Sequence, residues 1–279
     1  MFERAAVATD LAPPETLIQR SGSKTAADYK AVGQHFFDIF VKYGGIKPTD
    51  RVLDVGCGCG RMALPLTRYL TTGSYEGFDI SHDAIEWCQK NITARLPNFK
   101  FQLADVYNSE YNPRGKRKAK DYRFPYPDRS FDFTFLTSVF THMLPQDLDH
   151  YMWEIARTLK PKGRAVITFF ILNEESERLT KTQLRELSFQ HPYADGQIRV
   201  EKLSNPEGAV SYPEAMVRRV LEQSGLTLVE PIYFGHWCGR KGTITFQDLT
   251  VSERKAQFQL QRVTRHIFSW LSSRFSVPA

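Results

Sequence analysis

The feature that most constrains the fold is a repeat of short apolar runs separated by segments of helical spacing. "RVLDV" (51–55), "SYEGFDI" (74–80), "FKFQLADV" (99–106), "SFDFTFLTSVF" (130–140) and "RAVITFFIL" (164–172) are the apolar runs. Runs of this length read as strands buried on both faces. Between them, Arg61–Leu70, the stretch after Ser81 and Gln146–Leu159 read as helices. Ser81 suits an N-cap, and Glu86 and Lys90 stand four apart on one helix face. Pro65 is tolerable only in a first turn. The expected fold class is α/β, a doubly wound seven-stranded mostly parallel sheet covered by helices on both faces.

The end of the chain breaks this repeat. "LTLVEPIYFG" and "TITFQDLTVS" are separated only by "HWCGRKG". That gap is too short for a parallel crossover, so a terminal antiparallel hairpin at the sheet edge is expected. A helix over Tyr212–Ser224 precedes it, with Met216, Val217, Val220 and Leu221 apolar. Upstream, Asp28–Val41 reads as a helix that Gly44, Gly45 and Pro48 end. The segment 173–210 is too long for an ordinary connection, and a helix near Ser176–Leu187 and an irregular or hairpin part at "GQIRVEKL" are expected in it. The chain thus divides into a lid or cap (1–45), a core (46–172), an insertion near a ligand (173–210), the last helix and strand pair (211–252) and an amphipathic tail (253–279).

Composition narrows the function classes. The 279 residues are 42% hydrophobic, enough for a sizeable core. No apolar run approaches the length of a spanning helix, and "MFERAAVATD" lacks the apolar stretch of a secretory leader. A cytoplasmic location is the expectation. Cys57, Cys59, Cys88 and Cys238 show no second CxC or CxxC pair, so neither a disulfide framework nor a metal site is expected. The net charge of +6 comes from two patches, "NPRGKRKAKDYR" (112–123) and the tail from Glu253. The remainder is near neutral, so nucleic acid is not an expected partner. The tail places Phe258, Val263, Ile267, Leu271 and Phe275 near helical spacing beside Arg262, Arg265 and Arg274. It can pack on its own domain, pair with a second subunit or touch an anionic surface.

The first strand ends in Asp54, and Gly56, Gly58 and Gly60 follow at alternate positions with Cys57 and Cys59 between them. Glycines let a backbone approach a ligand closely, and the next helix points free N–H groups there. The spacing GxGxG is not the GxGxxG of dinucleotide sites, and no GxxxxGK[ST] phosphate loop is present. Asp79 ends the second strand, where an acid can accept both hydroxyls of a ribose. Asp105 ends the third, where an acid can accept an adenine amine. Ribose and adenine readers without a diphosphate reader point to an adenosyl ligand.

Taken in order, "VLDVGCGCGR", "GFDIS", "LADV", "FDFTFLTSVFTHM" and "EIARTLKPKGRAVITFF" resemble the class I S-adenosylmethionine-dependent methyltransferases over about residues 45–170. They look especially like the bacterial small-molecule enzymes with a ubiquinone/menaquinone-type methyltransferase domain. The resemblance implies a Rossmann-like methyltransferase fold, S-adenosyl-L-methionine as cofactor, S-adenosyl-L-homocysteine as product and a small-molecule acceptor. It implies that Gly56, Cys57, Gly58 and Gly60 pass the methionine part and ribose, and that Asp54 orders the ammonium side. Asp79 would take the ribose hydroxyls, Ile80 would line the adenine face, and Asp105 and Val106 would meet the adenine. Thr137 and Ser138 would end the fourth strand below the methyl-donor centre. "KPKG" replaces the usual double glycine after the proline, in a turn away from the cofactor.

The acceptor side is fainter. His142 follows the fourth strand and can act as a general base or substrate contact, or cap the next helix. With a base available, an oxygen nucleophile is slightly preferred. His236, Trp237 and Arg240 crowd one short connection and can wall a pocket, with Arg240 holding a carboxylate or phosphate, or form a plain turn. Tyr212 can face the cleft or pack beneath it, and Tyr29 can belong to a lid over the site. Methylation of RNA or protein, or a binding protein that retains the cofactor pocket, are the competing readings.

Overall fold

The computed structural model describes residues 11–109, 111–182 and 185–257. Two helices, α1 (Glu15–Arg20) and α2 (Ala26–Ile39), lead into β1 (Arg51–Val55). Alternation then runs α3 (Ala63–Tyr69), β2 (Ser74–Asp79), α4 (His82–Cys88), β3 (Phe99–Leu103), β4 (Phe131–Leu136), α5 (Pro145–Thr158) and β5 (Leu159–Phe169). After β6 (Ile171–Leu172) come α6 (Glu174–Leu179), β7 (His191–Tyr193), β8 (Ile198–Val200), β9 (Val210–Pro213) and α7 (Glu214–Gln223). The antiparallel pair β10 (Leu226–Tyr233) and β11 (Asp248–Arg254) completes the described chain.

The main sheet has seven strands in the order β10-β11-β5-β4-β1-β2-β3. Strands β1 to β5 pair in parallel, and β11 runs antiparallel between β5 and β10. This is the doubly wound sheet with a terminal hairpin that the apolar repeat demands. Burial on both faces explains the unbroken apolar strands. Leu53, Leu136, Ala165 and Ile167 pack with Met152 and Ile155 of α5 and Val217 and Leu221 of α7. Val52, Phe133, Phe135 and Val166 pack instead with Phe40, Ala63, Leu66, Ile85 and Cys88. Neighbours along one strand thus serve opposite layers.

Local departures have local causes. "KPKG" does not end a strand: β5 runs through it with Lys162 at φ 64°, and the β4–β5 register shifts between Phe131 and Phe133. "TITF" forms no edge strand, because its backbone pairs inside the connection. His236 N–H donates to Thr245 O and Trp237 N–H to Phe246 O, both at 3.1 Å. The insertion's helix stops at Leu179, and two three-residue strands, β7 and β8, follow. The insertion builds a second sheet, β6-β9-β8-β7. No helix of the described residues is long and apolar enough to cross a membrane. The tail from Phe258 lies outside the described residues.

Candidate functional site

Strand β1 is the switch point. The chain runs from β1 outward to β2 and β3, then returns to β4 on the other side of β1. In such sheets a crevice opens at the carboxyl ends of the strands flanking that point. A cavity of about 380 Å³ lies there, bounded by Asp54, Gly56, Cys57, Gly58, Asp79, Ile80, Val106, Thr137, Ser138 and His142. Its size falls within the range of small-molecule sites, about 300–1,000 Å³.

The glycine loop is folded against β2. Gly56 and Cys57 both donate to Phe78 O, at 2.9 and 3.0 Å. Gly56 has φ 80°, and a Cβ there would lie 2.4 Å from Val139 Cγ2. Gly58 has φ 51°, and a Cβ there would meet nothing within 4 Å. One glycine is needed by the protein's own packing. The other leaves space at the cavity wall. Gly60 turns the loop into α3 and does not border the cavity. Burial pushes the Cys57 thiol up, so it is a packed hydrophobe and not a nucleophile.

Three charged groups line this end. Asp54 is 1% exposed, and its Oδ2 accepts from Tyr75 Oη at 2.6 Å. Its Oδ1 is buried with no hydrogen-bond partner among the described residues. Burial pushes the Asp54 carboxyl up to about 8, against the Tyr75 hydrogen bond and with help from Asp79. Asp79 accepts Gly58 N–H at 2.7 Å and Ser81 N–H at 2.8 Å, yet burial still holds it above the carboxylate range. Arg61 donates to Ser21 O at 2.7 Å and Ser23 Oγ at 3.2 Å, tying the segment after α1 to the loop. An orphaned buried carboxylate oxygen calls for a donor, ideally a cation. The set Asp54, Gly58 and Asp79 fits an adenosyl sulfonium that carries an ammonium and a ribose.

The other end is built around His142. Its Nδ1–H donates to Glu207 O at 2.9 Å, because a carbonyl can only accept. The neutral ring therefore carries its lone pair on Nε2. The Tyr111 ring meets the imidazole edge-on at 5.3 Å, and Asn108, Asp147 and Glu207 complete the wall. Ser138 stands at φ 60°, its N–H held by Thr168 Oγ1 at 2.8 Å and its Oγ by Gln247 Oε1 at 3.1 Å.

Besides Gly60, six expected contacts lie away from the cavity. Asp105 is exposed, and its carboxylate accepts Lys116 N–H at 3.2 Å, so it closes the basic loop instead of reaching an adenine. Tyr29 is fully buried and donates to Cys59 O at 2.8 Å, which anchors α2 beneath the glycine loop. Tyr212 is buried and donates to Met143 O at 2.5 Å. Trp237 is buried against Phe170 and Phe189, and its Nε1–H donates to Asp248 at 2.7 Å. Arg240 is held by Glu175 at 2.9 Å and Asp248 at 3.6 Å, away from the cavity. His236 is exposed and meets Thr243 Oγ1. Trp237 and Arg240 are absorbed by the packing of their own loop, and Tyr29 and Tyr212 by backbone carbonyls distant in sequence. Conversely, Arg61, Asn108, Tyr111, Asp147 and Glu207 line the cavity without a clear signal in the sequence. Arg61 closes the glycine motif, but Glu207 sits in "NPEG", where no periodicity or motif marks it. Among the described residues no group of three or more His, Cys, Asp or Glu is placed to hold a metal.

Comparison with known proteins agrees with this geometry. The model of a methyltransferase domain family matches residues 52–163. The 2-phytyl-1,4-naphtoquinone methyltransferase of Nostoc sp. is 28% identical over 173 residues, 60% of this chain and 65% of that protein. A fatty-acid O-methyltransferase of Mycolicibacterium smegmatis is 31% identical over 118 residues, 42% of this chain and 36% of that protein. The chain therefore spans no more than two thirds of the length of these curated relatives. The 1,6-didemethyltoxoflavin-N1-methyltransferase of Burkholderia thailandensis, solved with S-adenosylhomocysteine, superposes with a TM-score of 0.51 at 15% identity, covering 91% of this chain and 90% of that one. The sheet order, the glycine loop and the matched segment agree: this chain has the class I S-adenosylmethionine-dependent methyltransferase fold, and over residues 52–163 it is similar to a methyltransferase domain family.

Proposed function

We propose that the protein binds S-adenosyl-L-methionine in this cavity and methylates a small-molecule acceptor, by preference at oxygen. One observation carries the reading: a buried, half-satisfied Asp54 beside the open wall at Gly58, with an oriented His142 on the same cavity. Asp54 would take the methionyl ammonium, Asp79 the ribose hydroxyls, and Ile80 and Val106 the adenine. Thr137 and Ser138 would lie below the sulfur.

When bound, the cofactor supplies an activated methyl whose carbon–sulfur bond electrons stay with sulfur. The chain then has to align the acceptor, exclude water and remove one proton. His142 is suited to the last task, since Glu207 O fixes its Nδ1–H and leaves Nε2 as the acceptor.

Two measurements test this. S-adenosylhomocysteine should bind in titration calorimetry, and a mass-shift screen of hydroxyl, phenol and amine acceptors should give a product heavier by one methylene. His142→Ala should lower turnover by roughly 10²–10⁴ while cofactor affinity stays within a few-fold. Unchanged turnover would remove His142 from the chemistry.

A further inference from the structure

Among the described residues of segment 173–210, Glu207 alone borders the cavity. It is held from both sides. Its main-chain carbonyl accepts from His142, after β4, at 2.9 Å. Its carboxylate accepts from the N–H of Ser109, after β3, at 3.0 Å, and from the Ser109 hydroxyl. The second sheet thus delivers one residue across the gap between two core loops and fixes it beside the candidate base.

Charge around that point is one-sided. The cationic side chains that line the cavity among the described residues are Arg20 and Arg61, from α1 and the glycine loop. Arg61 is occupied by Ser21 and Ser23, and Arg20 by Asp83. Near His142 the wall offers the carboxylates of Glu207 and Asp147. Burial raises the Asp147 carboxyl and the charge of Glu207 adds to the effect, against the N–H and the charge of Lys120, which reaches Asp147 from outside the cavity lining. Arg240, the cation best suited by sequence to hold an acceptor anion, is locked elsewhere.

We infer that Glu207 sets the acceptor specificity of this cavity: it admits a neutral or cationic molecule that offers a hydroxyl or amine, and rejects carboxylates and phosphates. The inference rests on the methyl-transfer reading above. A carboxylate beside the entering group accepts hydrogen bonds from a hydroxyl or ammonium and repels an anion. The insertion therefore orients the base and selects the acceptor with one residue.

The test uses three probes on one ring, with the protein saturated by S-adenosylhomocysteine at pH 7. Tyramine is cationic, tyrosol is neutral and 4-hydroxyphenylacetate is anionic. Calorimetry should show tyramine and tyrosol binding at least tenfold tighter than 4-hydroxyphenylacetate. Glu207→Gln keeps the main-chain carbonyl for His142 and an oxygen for Ser109 but removes the charge. It should keep its melting temperature and narrow the gap at least threefold. Equal or tighter binding of the anion, binding of none of the three, or an unchanged gap in Glu207→Gln overturns the inference. Failure of S-adenosylhomocysteine to bind in the first step defeats the underlying reading, and the inference with it.

Discussion

Tyr75 Oη on β2 donates to Asp54 Oδ2 on β1 at 2.6 Å, across the strand pair that carries the cofactor loop. The bond leaves Asp54 with one satisfied oxygen and one that waits for a ligand. Its pKa is raised from 3.8 to about 8, so the folded protein holds a proton that the unfolded chain releases near pH 4. Stability from this group is fully present below pH 4 and is lost as pH rises through about 8. Ligand-free wild type should therefore lose stability between pH 5 and 9 more steeply than Asp54→Asn. Affinity for S-adenosylhomocysteine should move the opposite way between pH 6 and 8, since an ammonium favours the ionised carboxylate. Denaturant titrations and calorimetry across that range check both slopes. Equal slopes in the two proteins would show that Asp54 does not titrate as described.

Gly56 and Gly58 should separate folding from binding. Both have positive φ, so alanine costs roughly 1–2 kcal/mol of backbone strain at either site. At Gly56 the new methyl also collides with Val139, so Gly56→Ala should lower the melting temperature markedly. At Gly58 the methyl meets open space, so Gly58→Ala should fold with only the strain cost and lose most cofactor affinity. The check is one melting curve and one titration for each variant. A Gly58→Ala protein that binds normally would take the loop away from the ligand.

Much of the fold was legible because it depends on period and length. Strands buried on both faces must be short and apolar, and the connection after β10, although longer than "HWCGRKG" because "TITF" is not strand, still holds no crossover helix, so β10 and β11 run antiparallel. That Asp54, Gly56 and Gly58 share one cavity wall was legible for the same local reason, since one strand and its turn fix all three. Asp105 shows where that logic ends. It stands at the end of its strand, but the long basic loop folds back and offers it the Lys116 N–H. The acceptor half was not legible, because it is assembled from distant pieces. Glu207 reaches His142 only after the insertion has paired into its own sheet. Trp237 and Arg240 stand in a connection that reads as a pocket wall or a plain turn, but Asp248 draws both inward.

Asp79 joins the second strand to the glycine loop, so its replacement should lower stability and binding together. Its two oxygens accept from Gly58 and Ser81. Asp79→Asn keeps one acceptor and turns an NH₂ toward a backbone N–H. Losing one such bond costs about 1–3 kcal/mol. S-adenosylhomocysteine affinity should fall roughly tenfold to a hundredfold, in line with that cost. A parallel fall for adenosine would place the loss at the ribose. Unchanged adenosine binding would place it in the methionyl part and remove Asp79 from the ribose.

Trp237 provides the converse case, a conspicuous residue whose replacement should leave specificity alone. Its indole is fully buried and donates to Asp248, which also accepts from Ile171 and Gly235 N–H. Burial holds the Asp248 carboxyl up at about 6. Trp237→Phe removes one donor from that buried carboxyl and opens space beside Phe170 and Phe189. The two losses together should cost about 2–4 kcal/mol of stability. The variant should unfold at lower denaturant, while KM for the acceptor and kcat below its melting temperature stay within about twofold of wild type. The physical reason is distance in the network: Asp248 keeps its two backbone donors, so the loop that presents Gln247 to Ser138 stays in place. A rise in acceptor KM with little loss of stability would instead return Trp237 to the wall of the acceptor pocket.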